Sequence, residues 1–216
     1  MSGDMRPYVV RQGDYLVKLA FVHGFDAEEV WNDAKNEEIR GRRPDHNILA
    51  PGDIVYLPVR KKEGLPIVKG TTNKYSARVP KVDVNLVFKN ADGTPLSEEP
   101  YEIRGAPPAS DPLATDADGH LTIQVPVTVR EVCIVFPERH FSYTARIGDL
   151  DPSNEMSGVA QRLRNLGHLA RDASSPEMAA DDVRAAIAAF QAETGASSTG
   201  ALDAETQSAL FEIHGI

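Results

Sequence analysis

The stretch Tyr8–Phe25, "YVVRQGDYLVKLAFVHGF", changes its hydrophobic pattern midway and so decides the fold of the first part of the chain. The two valines that follow Tyr8 are typical of a β-strand. Gly13 and Asp14 are turn residues, and Asp14 stands where a side chain can cap a following helix. Apolar residues then recur at helical spacing, at Leu16, Leu19 and Ala20. The stretch therefore predicts a strand, a tight turn and a helix that begins near Tyr15.

The residues that follow predict a second helix and a second strand. The run "DAEEVWNDAKN", residues 26–36, places Val30 and Trp31 on one helical face. The run "NILAPGDIVYLP", residues 47–58, contains a Pro-Gly turn that leads into "IVYLP". Up to Val59 the predicted order is therefore strand, helix, helix, strand.

In the order of these elements, the segment Pro7–Pro58 resembles a LysM domain. The resemblance implies binding of glycans that contain N-acetylglucosamine, such as peptidoglycan and chitin. In that family the groove lies between the loop after the first strand and the loop before the second, and it binds through backbone hydrogen bonds and apolar contacts with sugar faces. The resemblance maps the glycan- or partner-binding groove to nine residues: Gly13, Asp14, Tyr15, Leu16, Asn47, Ile48, Leu49, Ala50 and Pro51.

Two features of this groove depart from the family pattern. The residue after Gly-Asp is usually Thr, whereas here it is Tyr15, and the connection "NEEIRGRRPDH", residues 36–46, is longer than usual. Both changes fall at the rim of the groove, so we expect Tyr15 to be an exposed apolar residue there. We expect Arg40–Pro44, "RGRRP", to be a solvated loop. A LysM scaffold that no longer binds glycan is the alternative to a functional groove.

After a charged linker at residues 60–75, the pattern from residue 76 to residue 150 becomes that of β-strands. "KVDVNLVF" alternates, with one face formed by Val82, Val84, Leu86 and Phe88. "PYEIRG", "EVCIVF" and "FSYTARIG" add further strands, and two Asp-Gly turns connect short strands. This segment therefore predicts a small antiparallel β-sandwich. Cys133 falls in an apolar run and is expected to be buried and inert. "DADG", Asp116–Gly119, is interpreted as a β-turn rather than a calcium loop.

From Asp151 onward the chain predicts three helices. The first opens at Ser157 as N-cap, the second ends at Gly195, and the third begins after Asp203 and ends before Gly215. The predicted core positions of these helices are Val159, Leu163, Leu166, Val183, Ile187, Phe190, Leu202 and Leu210. This segment carries 4 Lys and Arg against 10 Asp and Glu, a formal charge of −6.

The segment Met156–Gly215 resembles the three-helix peptidoglycan-binding domain that is often appended to cell-wall hydrolases. The motifs that carry the resemblance are "RLRNLG", "AIAAFQAETG" and "TGALDAET", while the usual connection is replaced by "DASSPEMAADD". The predicted fold class is therefore multidomain α+β, with a βααβ LysM-like module, a small antiparallel β-sandwich and a three-helix bundle. The predicted domains are residues 1–59, a linker at 60–75, residues 76–150 and residues 151–216.

The composition argues against several classes of function. The net charge is −9, without a basic surface for nucleic acid or anionic membrane, and the single cysteine cannot form an internal disulfide. The six histidines show no close metal-ligand spacing, and neither a nucleophile elbow nor a phosphate-binding loop is present. We therefore predict a protein that is not an enzyme, with no catalytic residues, no metal and no cofactor, and with neither nucleic acid nor membrane as partner.

As a whole the chain resembles small proteins with LysM, β and peptidoglycan-binding-like parts that are associated with spike proteins of contractile injection (type VI secretion) systems. We expect a non-catalytic adaptor that docks on a spike, baseplate or effector protein of such an apparatus. One alternative is a cell-wall protein that binds peptidoglycan, and another is an inhibitor or immunity-type partner of a wall-active enzyme. Because "MSGDMRPYVV" lacks a basic region leading into an apolar run, we expect no classical signal peptide and a cytoplasmic protein, or one translocated by a secretion machine.

Overall fold

The computed structural model describes residues 4–59, 66–75, 78–107, 112–170 and 180–214. Within these ranges the chain forms eight β-strands and six α-helices, and all of its strand pairs are antiparallel. The chain is therefore of mixed α and β structure, compatible with the predicted α+β class. No helix in this part of the chain is both long enough and apolar enough to cross a membrane. The first residues of the predicted linker, most of "DASSPEMAADD" and Gly215 lie outside the described residues.

The first part of the chain contains the predicted strand, helix, helix and strand, and two further helical turns. Strands β1 and β2 pair antiparallel, with Val9 opposite Ile54. The long connection of residues 36–46 is mostly helical rather than extended. In chain order the elements are β1 (Met5–Val9), α1 (Leu16–His23), α2 (Ala27–Trp31), a 3-10 helix (Ala34–Asn36), α3 (Glu37–Arg42) and β2 (Ile54–Pro58).

Asn36 fastens these helices to β2. Its side chain is fully buried; its amide nitrogen donates to the carbonyl oxygens of Val30 (2.8 Å) and Tyr56 (3.0 Å). Its amide oxygen accepts a hydrogen bond from the backbone N–H of Tyr56 at 2.7 Å. Because a buried polar group is costly unless it is paired, this residue fixes the position of the helices on the sheet.

The interpretation of Arg40–Pro44 as a solvated loop is wrong: residues 40–42 belong to α3, and Arg43 is buried. The Arg43 guanidinium is buried against the carboxylate of Asp53, with Nε 2.8 Å from Oδ2 and Nη2 3.0 Å from Oδ1. This two-point geometry suits the planar fork of arginine. The sequence gives no local sign of the pair because its two members lie on opposite sides of the second loop.

The second part of the chain contains two antiparallel sheets that enclose one core. Strand β3 (Lys81–Val87) pairs with β6 (His120–Pro126). The other sheet has the order β5-β4-β7-β8, with bounds Leu113–Ala114, Pro100–Arg104, Glu131–Phe136 and Phe141–Arg146. The core side chains come from both sheets and include Tyr101, Leu121, Ile123, Val125, Val132, Ile134 and Phe136. The strands predicted from "KVDVNLVF" and "EVCIVF" are therefore confirmed.

Cys133 is not buried as predicted. Strand β7 alternates, with Val132 and Ile134 fully buried and Cys133 between them half-buried on the opposite face. The apolar run predicts burial of Cys133 wrongly because the strand is apolar on both of its faces, of which only one faces the core.

The third part of the chain contains three helices around a core of their own: α4 (Met156–Asn165), α5 (Ala180–Thr194) and α6 (Ala204–His214). The predicted core positions Val159, Leu163, Val183, Ile187, Phe190 and Leu210 are all buried, and Leu166 and Leu202 pack against them. Asp203 caps α6 as predicted, since its carboxylate accepts from the N–H of Thr206 at 2.8 Å. Ser157 lies inside α4, whose N-cap position is Glu155, so the predicted cap is wrong by two positions.

Gln191 is the central polar residue of this helical part. Its side chain is buried and donates to Thr206 Oγ1 (2.8 Å) and to the carbonyl oxygen of Ala201 (3.0 Å). It also accepts a hydrogen bond from the N–H of Gly200 at 2.9 Å. One side chain thereby provides hydrogen-bond partners for a hydroxyl at the start of α6 and for two backbone groups of the loop before it.

The chain folds as two compact units, where the sequence predicts three domains. One unit contains Gly52–Asp149 together with the residues up to Asn47, and the other contains Ile48–Pro51 together with the chain from Leu150 onward. The first two predicted segments form one unit because Tyr15, from the first segment, belongs to the core of the β segment.

Candidate binding site

The first loop of the predicted groove is a turn that is closed by Asp14. The carboxylate of Asp14 accepts hydrogen bonds from the Tyr8 hydroxyl (2.8 Å) and from the backbone N–H of Arg11 (3.1 Å). Burial, followed by this bond, raises the pKa of Tyr8. Asp14 therefore closes the turn, and the prediction that the Gly-Asp pair caps α1 is wrong. The N-cap position is Tyr15, which makes no side-chain capping bond.

Tyr15 is buried, so its predicted exposure at the rim of the groove is wrong. Its exposed fraction is 3%, and its hydroxyl donates to the carbonyl oxygen of Val127 at 3.2 Å. Burial raises the pKa of Tyr15 to about 12. The ring enters the core formed by the two sheets, and Val17 and Phe21 of α1 pack against the same core. The residue that follows the Gly-Asp pair therefore holds two segments of the chain together.

The segment that follows β8 is shaped to receive this loop. The Gln12 side chain donates to the carbonyl oxygen of Asp149 at 2.9 Å. Gly148 lies against the Tyr15 ring with φ near 80°, and a Cβ at Gly148 would stand 2.6 Å from Tyr15 Cδ1. A side chain is thus excluded at residue 148 both by the backbone conformation and by the ring.

The start of α1 is bonded to the second loop of the predicted groove, at His46 and Asn47. The N–H of Leu16 donates to the carbonyl oxygen of His46 at 3.0 Å, and the N–H of Val17 donates to Asn47 Oδ1 at 3.4 Å. These bonds provide acceptors for two of the N–H groups that have no acceptor within the helix at its start. Leu16 itself is fully buried, so it contributes structure rather than contact surface.

The other four predicted groove residues belong to the second compact unit. Leu49 and Ala50 are buried, Ile48 is half-buried and Pro51 is exposed. Of the nine residues, only Gly13, Asp14, Asn47, Ile48 and Pro51 therefore offer surface to a ligand.

The acidic turn Asp116–Gly119 is a β-turn, as predicted. The carboxylate of Asp116 accepts from the backbone N–H groups of His120 (2.7 Å) and Asp118 (2.9 Å). The hydrogen bond from His120 is the main cause that lowers the pKa of Asp116. Among the described residues, no group of three or more His, Cys, Asp or Glu side chains could hold a metal ion.

A concavity beside β1 was not predicted from the sequence. It has a volume of about 580 Å³ and lies beside β1, lined by Arg6, Pro7, Tyr8, Val9 and Arg11. The available signal was the run "RPYVVR", residues 6–11, in which four largely apolar residues stand between two arginines.

Comparisons with protein-family models, with curated proteins and with solved structures gave no match to this chain.

Proposed function

We propose that this chain is a non-catalytic adaptor that docks on a spike, baseplate or effector protein of a contractile injection apparatus. In this proposal the first segment is a LysM-like module, the two sheets form a β-sandwich and the C-terminal helices form a peptidoglycan-binding-like bundle. The observation that carries the proposal is the burial of Tyr15 in the β core.

The physical reason is that the first loop already packs against protein. Glycan recognition of the family type needs the backbone of this loop to be open to an acetamide group. Here Tyr15 is only 3% exposed, and Gln12 is bonded to the carbonyl of Asp149. A loop that forms a protein contact within its own chain supports a role in protein assembly over a role in sugar binding.

Affinity purification of the tagged full chain from its native host, at moderate ionic strength, tests the adaptor. Stoichiometric recovery of a spike, baseplate or effector protein is expected. In parallel, the purified chain is titrated with chitotetraose and sedimented with peptidoglycan, and we expect neither to bind. Recovery of no apparatus protein, combined with micromolar glycan binding that Asn47→Ala abolishes, would replace the adaptor by the wall-binding alternative. Recovery of a wall-active enzyme, inhibited on binding, would favour the immunity-type alternative.

A further inference from the structure

The outward face of the small β1–β2 sheet carries no charged side chain, and Tyr56 supplies its one polar side-chain group. Three cross-strand pairs share this face, which we call the β1–β2 outer face: Met5–Pro58, Pro7–Tyr56 and Val9–Ile54. The opposite face carries Val55 and Leu57, which are fully buried, so the six residues point away from the core. Val9 is 57% exposed and Ile54 is 47% exposed. Sheets with one buried face normally place polar residues on the other, so this surface indicates a partner.

Positive charges flank the free edge of β1. Arg6 is paired with Leu57 and so belongs to the opposite face of the sheet, but it reaches the concavity at this edge. Arg6 and Arg11 are exposed and line the same concavity as Pro7 and Val9. The ammonium group of Lys35 lies 6.0 Å from the centre of the Tyr56 ring on the neighbouring strand. Asp4 is the one acidic residue in the run 4–11, which contains both arginines. The residues that line the concavity thus carry two positive charges and no negative charge, although the chain as a whole has a net charge of −9.

Pro7 prevents the free edge of β1 from accepting a complete additional strand. The backbone N–H and C=O of Tyr56 both bond to Asn36, so they face away from β1. Tyr56 and its partner Pro7 are therefore a non-hydrogen-bonded pair, and the backbone nitrogen of Pro7 faces the free edge. Proline has no N–H to donate there, which interrupts any ladder at the middle of the strand. Recognition at this edge must therefore depend on side chains.

We propose that the concavity along the free edge of β1 binds an extended acidic segment of the protein partner, one that carries apolar residues between two carboxylates. Arg6 and Arg11 pair with the carboxylates, while Pro7 and Val9 contact the apolar side chains. The two arginines are five positions apart, which corresponds to about 16 Å of extended chain, so the carboxylates are about five residues apart. A second copy of this chain fits less well, because it would bring an identical positive rim against the first.

This inference rests on the proposed function, since it names the surface by which the adaptor holds its partner. The probe is a fluorescein-labelled peptide with two glutamates five residues apart, separated by alternating valine and threonine; its control carries lysines in place of the glutamates. Fluorescence anisotropy measures affinity for the full chain, and amide chemical shifts in 15N-labelled protein locate the site. We expect the glutamate peptide to shift the amides of Met5, Val9 and Arg11.

The charge-reversed variant Arg6→Glu/Arg11→Glu should bind the glutamate peptide about tenfold more weakly and gain affinity for the lysine peptide. The control variant Arg104→Glu/Arg146→Glu makes the same charge change at two exposed arginines of the β5-β4-β7-β8 sheet. It should leave the affinities for both peptides unchanged. Equal binding of the two peptides, absence of binding, or shifts confined to other strands would overturn the proposal. So would a wild-type dimer in sedimentation that Val9→Ser dissociates.

The two proposals can fail separately. If Arg6→Glu/Arg11→Glu still recovers the apparatus protein in the affinity purification, this surface is not the docking site and the adaptor function stands. If the wild-type chain recovers no such protein while the peptide binds as expected, the adaptor function fails and the acidic-segment site stands.

Discussion

The ring of Tyr15 lies so close to Gly148 that residue 148 has no room for a side chain. A Cβ at this residue would stand 2.6 Å from Cδ1 and 3.0 Å from Cε1 of the ring. This pair of residues joins a helix start near the N-terminus to the segment that follows β8. It explains why the first two predicted segments fold as one unit.

Replacing Gly148 by alanine should lower the free energy of unfolding by about 2–4 kcal/mol, because a strained left-handed backbone and a clash with the ring act together. Gly52→Ala is the matched control. Gly52 has a φ of 94°, but a methyl group at this residue would meet no atom within 4 Å, so only the backbone cost of about 1 kcal/mol should remain. Urea unfolding measures both variants, and equal losses would contradict the packing of Tyr15 on Gly148.

Truncation of Tyr15 separates the ring from its hydroxyl. Tyr15→Phe removes only the hydrogen bond to the Val127 carbonyl and should cost about 1 kcal/mol. Tyr15→Ala also leaves a cavity in the β core and should cost about 3–5 kcal/mol. Thermal and urea unfolding of the full chain check both values. A change within experimental error for Tyr15→Ala would mean that the ring is exposed after all.

The stability of the chain should fall at alkaline pH in a way that depends on Tyr15. Burial raises the pKa of Tyr15 from 10.0 to about 12, so the folded state favours the neutral phenol. The resulting stabilisation is fully present below pH 10 and is lost as the pH rises from 10 towards 12. The advantage of wild type over Tyr15→Phe in unfolding free energy should therefore fall to zero and reverse in sign over this interval, since the raised pKa removes about 2 kcal/mol by pH 12. Tyr8 and Tyr101 are present in both proteins, so their raised pKa values cancel in the comparison.

Gln191→Met should destabilise the helical unit by about 2–4 kcal/mol. The substitution keeps the volume of the side chain but leaves the N–H of Gly200 and the Thr206 hydroxyl without their bonds to residue 191. Gln207→Met, at a half-buried position of α6, is the control and should change stability by less than about 0.5 kcal/mol. Circular dichroism at 222 nm during urea unfolding measures both. Similar losses in the two variants would show that the Gln191 network adds little.

Removing the carboxylate of Asp53 should cost about 3–5 kcal/mol, because the buried guanidinium of Arg43 loses its ion-pair partner. The double variant Arg43→Met/Asp53→Ala should be more stable than Asp53→Ala alone, since the charge is then absent. A double-mutant cycle by urea unfolding gives the coupling energy of the pair. Additive single effects would indicate that the two residues do not interact.

The elements that could be predicted from the sequence are those with a local cause. The helical spacing of Val183, Ile187 and Phe190 is contained within two turns, and the alternation in "KVDVNLVF" is contained within one strand. Periodicity of this kind reports which face of an element is buried whatever the partner is. It predicts elements and core positions well for that reason.

The candidate site was less predictable because its contacts are distant in sequence. The Tyr15 hydroxyl donates a hydrogen bond to Val127, and its ring packs on Gly148. No sequence pattern around residue 15 predicts either contact. Asp14 had two possible uses, as a helix cap or as the acceptor for Tyr8, and only the folded turn decides between them. The concavity beside β1 was missed for another reason, since an apolar run between two arginines has the same local pattern whether its second face is buried or open.

The insertion of Tyr15 into the β core removes the modularity that the order of segments suggests. A fragment that ends near Val59 would expose the Tyr15 ring to solvent. The remaining sheets would contain a cavity at the place that this ring fills in the full chain. Neither piece could be exchanged with an equivalent piece of another protein unless both sides of the contact were exchanged together. The first compact unit should therefore unfold as one cooperative unit rather than as two independently folding segments.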